Sequence, residues 1–112
     1  MTIRAIARQV HNTAKEKGWW DTNRDVPECI ALIHSELSEA LEEYRVMENG
    51  QNFDTIRYTP QGKPEGFAIE LADTIIRLLD LSEHLGIDIE LALIEKMNYN
   101  KTREFRHGNK RA

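Results

Sequence analysis

The sequence predicts an all-α fold, bundle-like with four helices and completed by homo-oligomerisation, and three observations predict it. Four stretches place apolar residues at helical spacing, and none sustains the alternation of a half-buried strand. The chain has 112 residues, the length of one domain, and with 40% apolar and 30% charged residues its core must be small. The third stretch is apolar round most of its circumference, which asks for more covering than three partner helices of one chain readily supply. Residues 1–112 are therefore expected to form a single domain that associates with copies of itself.

The first helix is expected from Thr2 to Lys17, with Ile3, Ile6, Ala7, Val10 and Ala14 at helical spacing and Gly18 placed to end it. Trp19 and Trp20 follow directly. Adjacent tryptophans cannot both point inward on a regular element, so one is expected partly exposed and able to stack on a base, or to act as a lid over a small core. The second helix starts at Asp25, a capping residue with Pro27 in the first turn, and continues to Met47, closed by Asn49 and Gly50. Its stripe of Ile30, Ile33, Leu37, Leu41 and Tyr44 is expected to face the core. Residues 49–66 form a loop with a short extended piece at Thr55 to Thr59, and a loop of this length is either a functional lid or disordered. The third helix runs from Pro64 to Leu85 and stops at Gly86. The fourth follows Asp88 and runs to Arg103, beyond which the basic tail EFRHGNKRA is expected to fray.

Charge narrows the partners. Fifteen Lys and Arg against 19 Asp and Glu leave a net charge of −4, and the pI is near 5.6, which argues against a duplex-DNA footprint and against anionic membrane surfaces. The single Cys29 excludes an internal disulfide and a thiolate zinc cluster. The stretch MTIRAIARQV mixes charge with apolar residues instead of building a signal peptide. The greasiest stretch, Phe67 to Leu81, is broken by Glu70, Asp73, Arg77 and Asp80, so no membrane span is expected and a cytoplasmic location is.

The acids carry the chemistry. Glu36 and Glu39 lie three apart at the edge of the buried arc of the second helix, and Glu70 and Asp73 lie three apart on the one polar stripe of the third. Facing each other, they would form a four-carboxylate cluster, which cannot persist as bare anions in a desolvated setting. An all-oxygen set without cysteine or histidine suits a hard cation: magnesium first, with manganese or calcium also compatible. The alternative is that each pair is simply a solvated helix face. Against that reading, Glu70 and Asp73 interrupt a helix that is otherwise apolar nearly all round. A diiron bundle would need two Glu-x-x-His pairs, and the sequence offers only Glu104/His107 in the tail, so iron is disfavoured.

Lys96, Asn100 and Arg103 share one side of the fourth helix. They either complement the helix dipole or form a phosphate clamp, with Lys as a point charge, Arg as a fork and Asn as a neutral donor. Beside an acidic metal cluster, the clamp would suit a metal-bound polyphosphate.

Together these residues resemble the MazG-like family of all-α nucleoside triphosphate pyrophosphohydrolases. The likeness rests on Glu36-Leu-Ser-Glu39 with Glu70-Leu-Ala-Asp73, similar to that family's Glu-x-x-Glu and Glu-x-x-Asp signature. It also rests on Lys96-Met-Asn-Tyr-Asn100-Lys-Thr-Arg103 with His107-Gly108 beyond. It covers about Pro27 to Lys110, and the spacer between Glu39 and Glu70 is slightly long for the pattern. The resemblance implies hydrolysis of a nucleoside triphosphate to the monophosphate and pyrophosphate, as nucleotide-pool house-cleaning, with magnesium and in an obligate homodimer or homotetramer. On this reading Glu36, Glu39, Glu70 and Asp73 bind the metal, Glu39 orients the attacking water, Lys96, Asn100 and Arg103 hold the phosphates, and Trp20 stacks on the base. Two other classes stay open: a non-catalytic helical module that oligomerises or binds a nucleotide, and a phosphohydrolase releasing orthophosphate.

Overall fold

The computed structural model describes residues 1–49 and 51–103, and it is all-α apart from one hairpin of two two-residue strands. Gly50, the Glu104/His107 pair and the basic tail lie outside the described residues.

Helix α1 spans Ile3–Glu16, and the Thr2 hydroxyl caps it by accepting from the Ala5 amide at 3.0 Å. Helix α2 spans Val26–Arg45, where Asp25 Oδ1 accepts from the Glu28 amide at 2.8 Å. Strands β1 (Arg57–Tyr58) and β2 (Pro64–Glu65) pair antiparallel, with Arg57 opposite Glu65. Helix α3 spans Phe67–His84 and α4 spans Ile89–Thr102, whose cap is Asp88, accepting from the Leu91 amide at 3.2 Å.

Three differences from the sequence reading have physical causes. First, α3 begins at Phe67 rather than Pro64, because Pro64 and Glu65 are taken up in the hairpin. The junction is Gly66, at φ +137, where a Cβ would lie 2.6 Å from the Thr55 carbonyl oxygen, so no L side chain passes there. The segment expected as a lid or a disordered stretch is thus organised by a hairpin that closes against the start of α3.

Second, α3 is central, with α2 on one side and α1 on another. Both run antiparallel to it: His11 meets Asp80 while Arg4 meets Asp88, and Glu36 meets Arg77. The buried apolar residues are Leu79 with Ala7, Cys29 and Ala40, the last three small enough to let the helices approach closely. The α2 face turned inward is the one bearing Cys29 and Ala40, with Glu36 beside them. Most of the stripe expected to face the core is outside instead: Ile30, Leu41 and Tyr44 are exposed and Leu37 is 50% exposed, while Ile33 is half-buried. Periodicity located two usable faces of α2, and the more apolar one is largely exposed, with Tyr44 stacked on Phe53 at 6.2 Å.

Third, α4 does not fill the fourth place of a bundle. Its N-terminal turn is held to α1, where Arg4 bonds Asp88 at 2.9 Å and Glu90 at 2.7 Å. From Leu91 to Thr102 every residue is exposed. The radius of gyration, 16.8 Å, exceeds the roughly 13 Å of a compact chain of this length accordingly. Among the described residues, no helix is long and apolar enough to cross a membrane.

Candidate metal centre

Two of the expected acids come from consecutive turns of α3, since residues three apart share a helix face. The antiparallel α2 brings Glu36 to the same place. One carboxylate oxygen each from Glu36, Glu70 and Asp73 lies within 4.8 Å of the others, and all three side chains are half-buried. Glu39 is exposed at the edge of this trio and shares a hydrogen bond with Glu70. A bond between two carboxyl groups needs one of them to hold a proton.

The electrostatics follow from crowding. Burial, the Glu39 hydrogen bond and the charges of Asp73, Glu39 and Glu36 push the Glu70 carboxyl from an ordinary 4.5 up to about 7. Asp73 is also raised, by burial first and by Glu36 next, while Arg77 and Lys63 pull it partway back. Glu36 is held by Arg77, whose Nε donates to it at 2.8 Å. One oxygen, Glu70 Oε2, is buried with no hydrogen-bond partner, the only such side-chain atom among the described residues. Three hard oxygen donors at chelating separation, one of them unsatisfied, fit a hard divalent cation.

Beside the trio opens a cavity of about 560 Å³, within the usual range for small-molecule sites. Glu36, Asp73 and Arg77 form its acid end, and the C-terminal half of α1 supplies Gln9, Val10, Thr13, Ala14 and Lys17. Trp19 forms part of the wall, with the guanidinium groups of Arg24 and Arg77 lying 3.8 and 4.2 Å from its ring centre.

Trp20, the ring expected to stack on a base, is engaged elsewhere. Its Nε1 donates to Asp80 Oδ1 at 3.0 Å, and its ring stacks on His84 at 3.7 Å, nearly parallel. Of the two tryptophans, Trp19 lines the cavity. Sequence reasoning chose Trp20, though neither ring has a helical phase to fix its direction. It also missed Asp80 and His11 as partners, at 2.7 Å; their positions on the inner faces of two helices were the available signal.

Lys96, Asn100 and Arg103 form a stripe on α4, where the Lys96 ammonium and the Arg103 guanidinium lie 5.0 and 5.6 Å from the Tyr99 ring centre. None of the three lines the cavity beside the acids. The expected carboxylates therefore converge, and the expected cations stand apart from them within one chain.

Compared with family models, with curated proteins and with solved structures, the chain matches none.

Proposed function

We propose that this chain is a homo-oligomeric, magnesium-dependent hydrolase that cleaves a nucleoside triphosphate to the monophosphate and pyrophosphate. The observation that carries the reading is the convergence of Glu36, Glu70 and Asp73, with an unsatisfied buried oxygen on Glu70, where Glu36 and Asp73 line one end of a cavity walled by a tryptophan.

Glu36, Glu70 and Asp73 would hold magnesium, which supplies positive charge for the phosphates and acidifies water. Arg77 fixes Glu36 through its Nε and keeps that carboxylate aimed at its neighbours. Glu39, exposed beside Glu70, is placed to accept a proton from water approaching the α-phosphorus. The bond broken is the one between the α-phosphorus and the bridging oxygen, and pyrophosphate leaves with the electrons. Trp19, with the Arg24 and Arg77 guanidinium groups over its ring, would close the cavity wall beside the base, while Gln9 and Thr13 offer polar groups to its edge. Lys96, Asn100 and Arg103 are the cationic and neutral donors for the leaving phosphates.

The test is a panel of ribo- and deoxynucleoside triphosphates incubated with magnesium, read separately for pyrophosphate and orthophosphate. Pyrophosphate release lost in Glu70→Gln supports the reading. Orthophosphate would mean a different hydrolase, and neither product would leave a non-catalytic module.

A further inference from the structure

We infer that Trp19 is a positioning residue for the metal centre: its ring holds the guanidinium of Arg77, which in turn aims Glu36 at Glu70 and Asp73. This deepens the function proposed above and rests on its metal reading. The first observation is the unequal footing of the three acids. Glu70 and Asp73 stand three apart on α3, so one helix sets both. Glu36 reaches them from α2, and its aim depends on its own side-chain torsions. Arg77 removes that freedom by donating from Nε to Glu36 Oε1 at 2.8 Å. A carboxylate held through one oxygen keeps the other for a cation, and outer partners of this kind typically govern about 10–100-fold in metal affinity.

The second observation is what holds Arg77. A guanidinium is planar, donating hydrogen bonds from its edge and stacking through its face, so one contact of each kind leaves it little rotation. The edge contact of Arg77 is Glu36, and over the Trp19 ring its Cζ lies 4.2 Å from the ring centre. A single contact would leave free most of the rotamers of so long a side chain.

The third observation is that Trp19 is fixed independently of Arg77. Gly18, at φ +85, ends α1 in the left-handed conformation. Its N–H donates to the Lys15 carbonyl at 3.1 Å, and that of Trp19 donates to the Ala14 carbonyl at 3.0 Å, the paired bonds of a Schellman turn. Arg24 lies 3.8 Å from the Trp19 ring centre and is itself anchored twice. Its Nε donates to the Trp19 carbonyl at 2.9 Å, and its Nη1 pairs with Glu28 in the first turn of α2 at 3.0 Å. The end of α1 and the start of α2 thus secure the ring against which α3 sets Arg77. Trp19, Arg77 and Glu36 form one chain of contacts from the turn between α1 and α2, through α3, to the donor that α2 supplies. Replacing Trp19 changes no charge, so its effect on metal affinity is geometric.

Magnesium alone, titrated into the chelator-free protein without nucleotide and followed by calorimetry, tests this. Trp19→Leu keeps apolar bulk and removes the aromatic face, whereas Trp19→Phe keeps a face. Trp19→Leu is expected to weaken magnesium binding about tenfold and Trp19→Phe to stay within about twofold of wild type, where a space-filling role would move both alike. Arg77→Lys, which keeps the charge and loses the planar fork, should also lose about tenfold, and Trp19→Leu with Arg77→Lys should lose no more than Arg77→Lys alone. Wild-type affinity in Trp19→Leu, or losses that multiply in the double variant, overturns the positioning role. If wild type binds no magnesium, the function proposed above fails and urea unfolding judges the positioning role. The midpoint changes of Trp19→Leu and Glu36→Gln should then fail to add in their double variant, because Arg77 joins the two residues, and simple addition overturns it.

Discussion

Replacing Glu70 by glutamine should stabilise the metal-free protein while abolishing its turnover, because both effects come from one crowded carboxylate. Glutamine keeps the shape of the protonated side chain and cannot ionise. With an ordinary value of 4.5 and a folded value of about 7, Glu70 is protonated in both states at low pH and contributes no penalty there. As pH rises through that window, the unfolded chain releases the proton while the folded one retains it, so wild-type stability falls; above it the folded state carries the full repulsion. The interval between the two values corresponds to about 3 kcal/mol. Since the side chain is only partly shielded, about 1–2 kcal/mol is the expected gain for Glu70→Gln. Urea unfolding followed by circular dichroism, with chelator present and protein concentration fixed, measures it. Near pH 8 the variant's midpoint should exceed wild type, and near pH 4.5 the two should coincide. Magnesium should then raise the wild-type midpoint at the higher pH and leave the variant nearly unmoved. A variant equally or less stable than wild type at both pH values would show that Glu70 is a solvated acid, and the metal centre would go with it.

The tryptophans should separate by assay. Trp19→Ala is expected to raise KM roughly tenfold with kcat kept, as loss of a cavity wall that also positions Arg24 and Arg77 requires, whereas Trp20→Ala should mainly lower the melting temperature by freeing Asp80 and His84. Gly66→Ala should cost about 2 kcal/mol or more in urea unfolding, since the φ of +137 and the Thr55 oxygen both oppose a Cβ. An unchanged midpoint there would refute the fixed hairpin-to-helix junction.

Helix existence and two of the caps were legible in the sequence because they depend on local chemistry: Asp25 and Asp88 cap the helices they were expected to open, while Thr2, read as the first residue of α1, caps it instead. The convergence of Glu36 with Glu70 and Asp73 was legible for a related reason, as spacing on two amphipathic helices constrains which faces meet. What was not legible depends on who covers whom. The α2 stripe from Ile30 to Tyr44 carries the stronger apolar signal, yet Cys29 and Ala40 face α3, because small residues permit closer packing. The choice between Trp19 and Trp20 was hidden in a turn, where neither period applies. The place of Lys96 was hidden by the direction in which α4 leaves, which is set by the Arg4 pairs at the far end of α1.

Asp80 gives the sharpest contrast with Glu70, since both acids project from α3 into shielded surroundings and only one is satisfied. Asp80 is buried, and its Oδ1 accepts from His11 Nδ1 at 2.7 Å and Trp20 Nε1 at 3.0 Å, so that oxygen meets two protein donors. Glu70 Oε2 is buried and meets none. An acid already saturated by donors is structural, and an acid left short of one calls for an outside cation. Asp80→Ala should therefore cost about 1–3 kcal/mol, because it strands two half-buried N–H groups, and magnesium should stabilise the variant by as much as it stabilises wild type. Unfolding midpoints with and without magnesium check both statements. If Asp80→Ala abolished the magnesium effect, Asp80 would belong to the metal centre, and the distinction between satisfied and unsatisfied acids on α3 would fail.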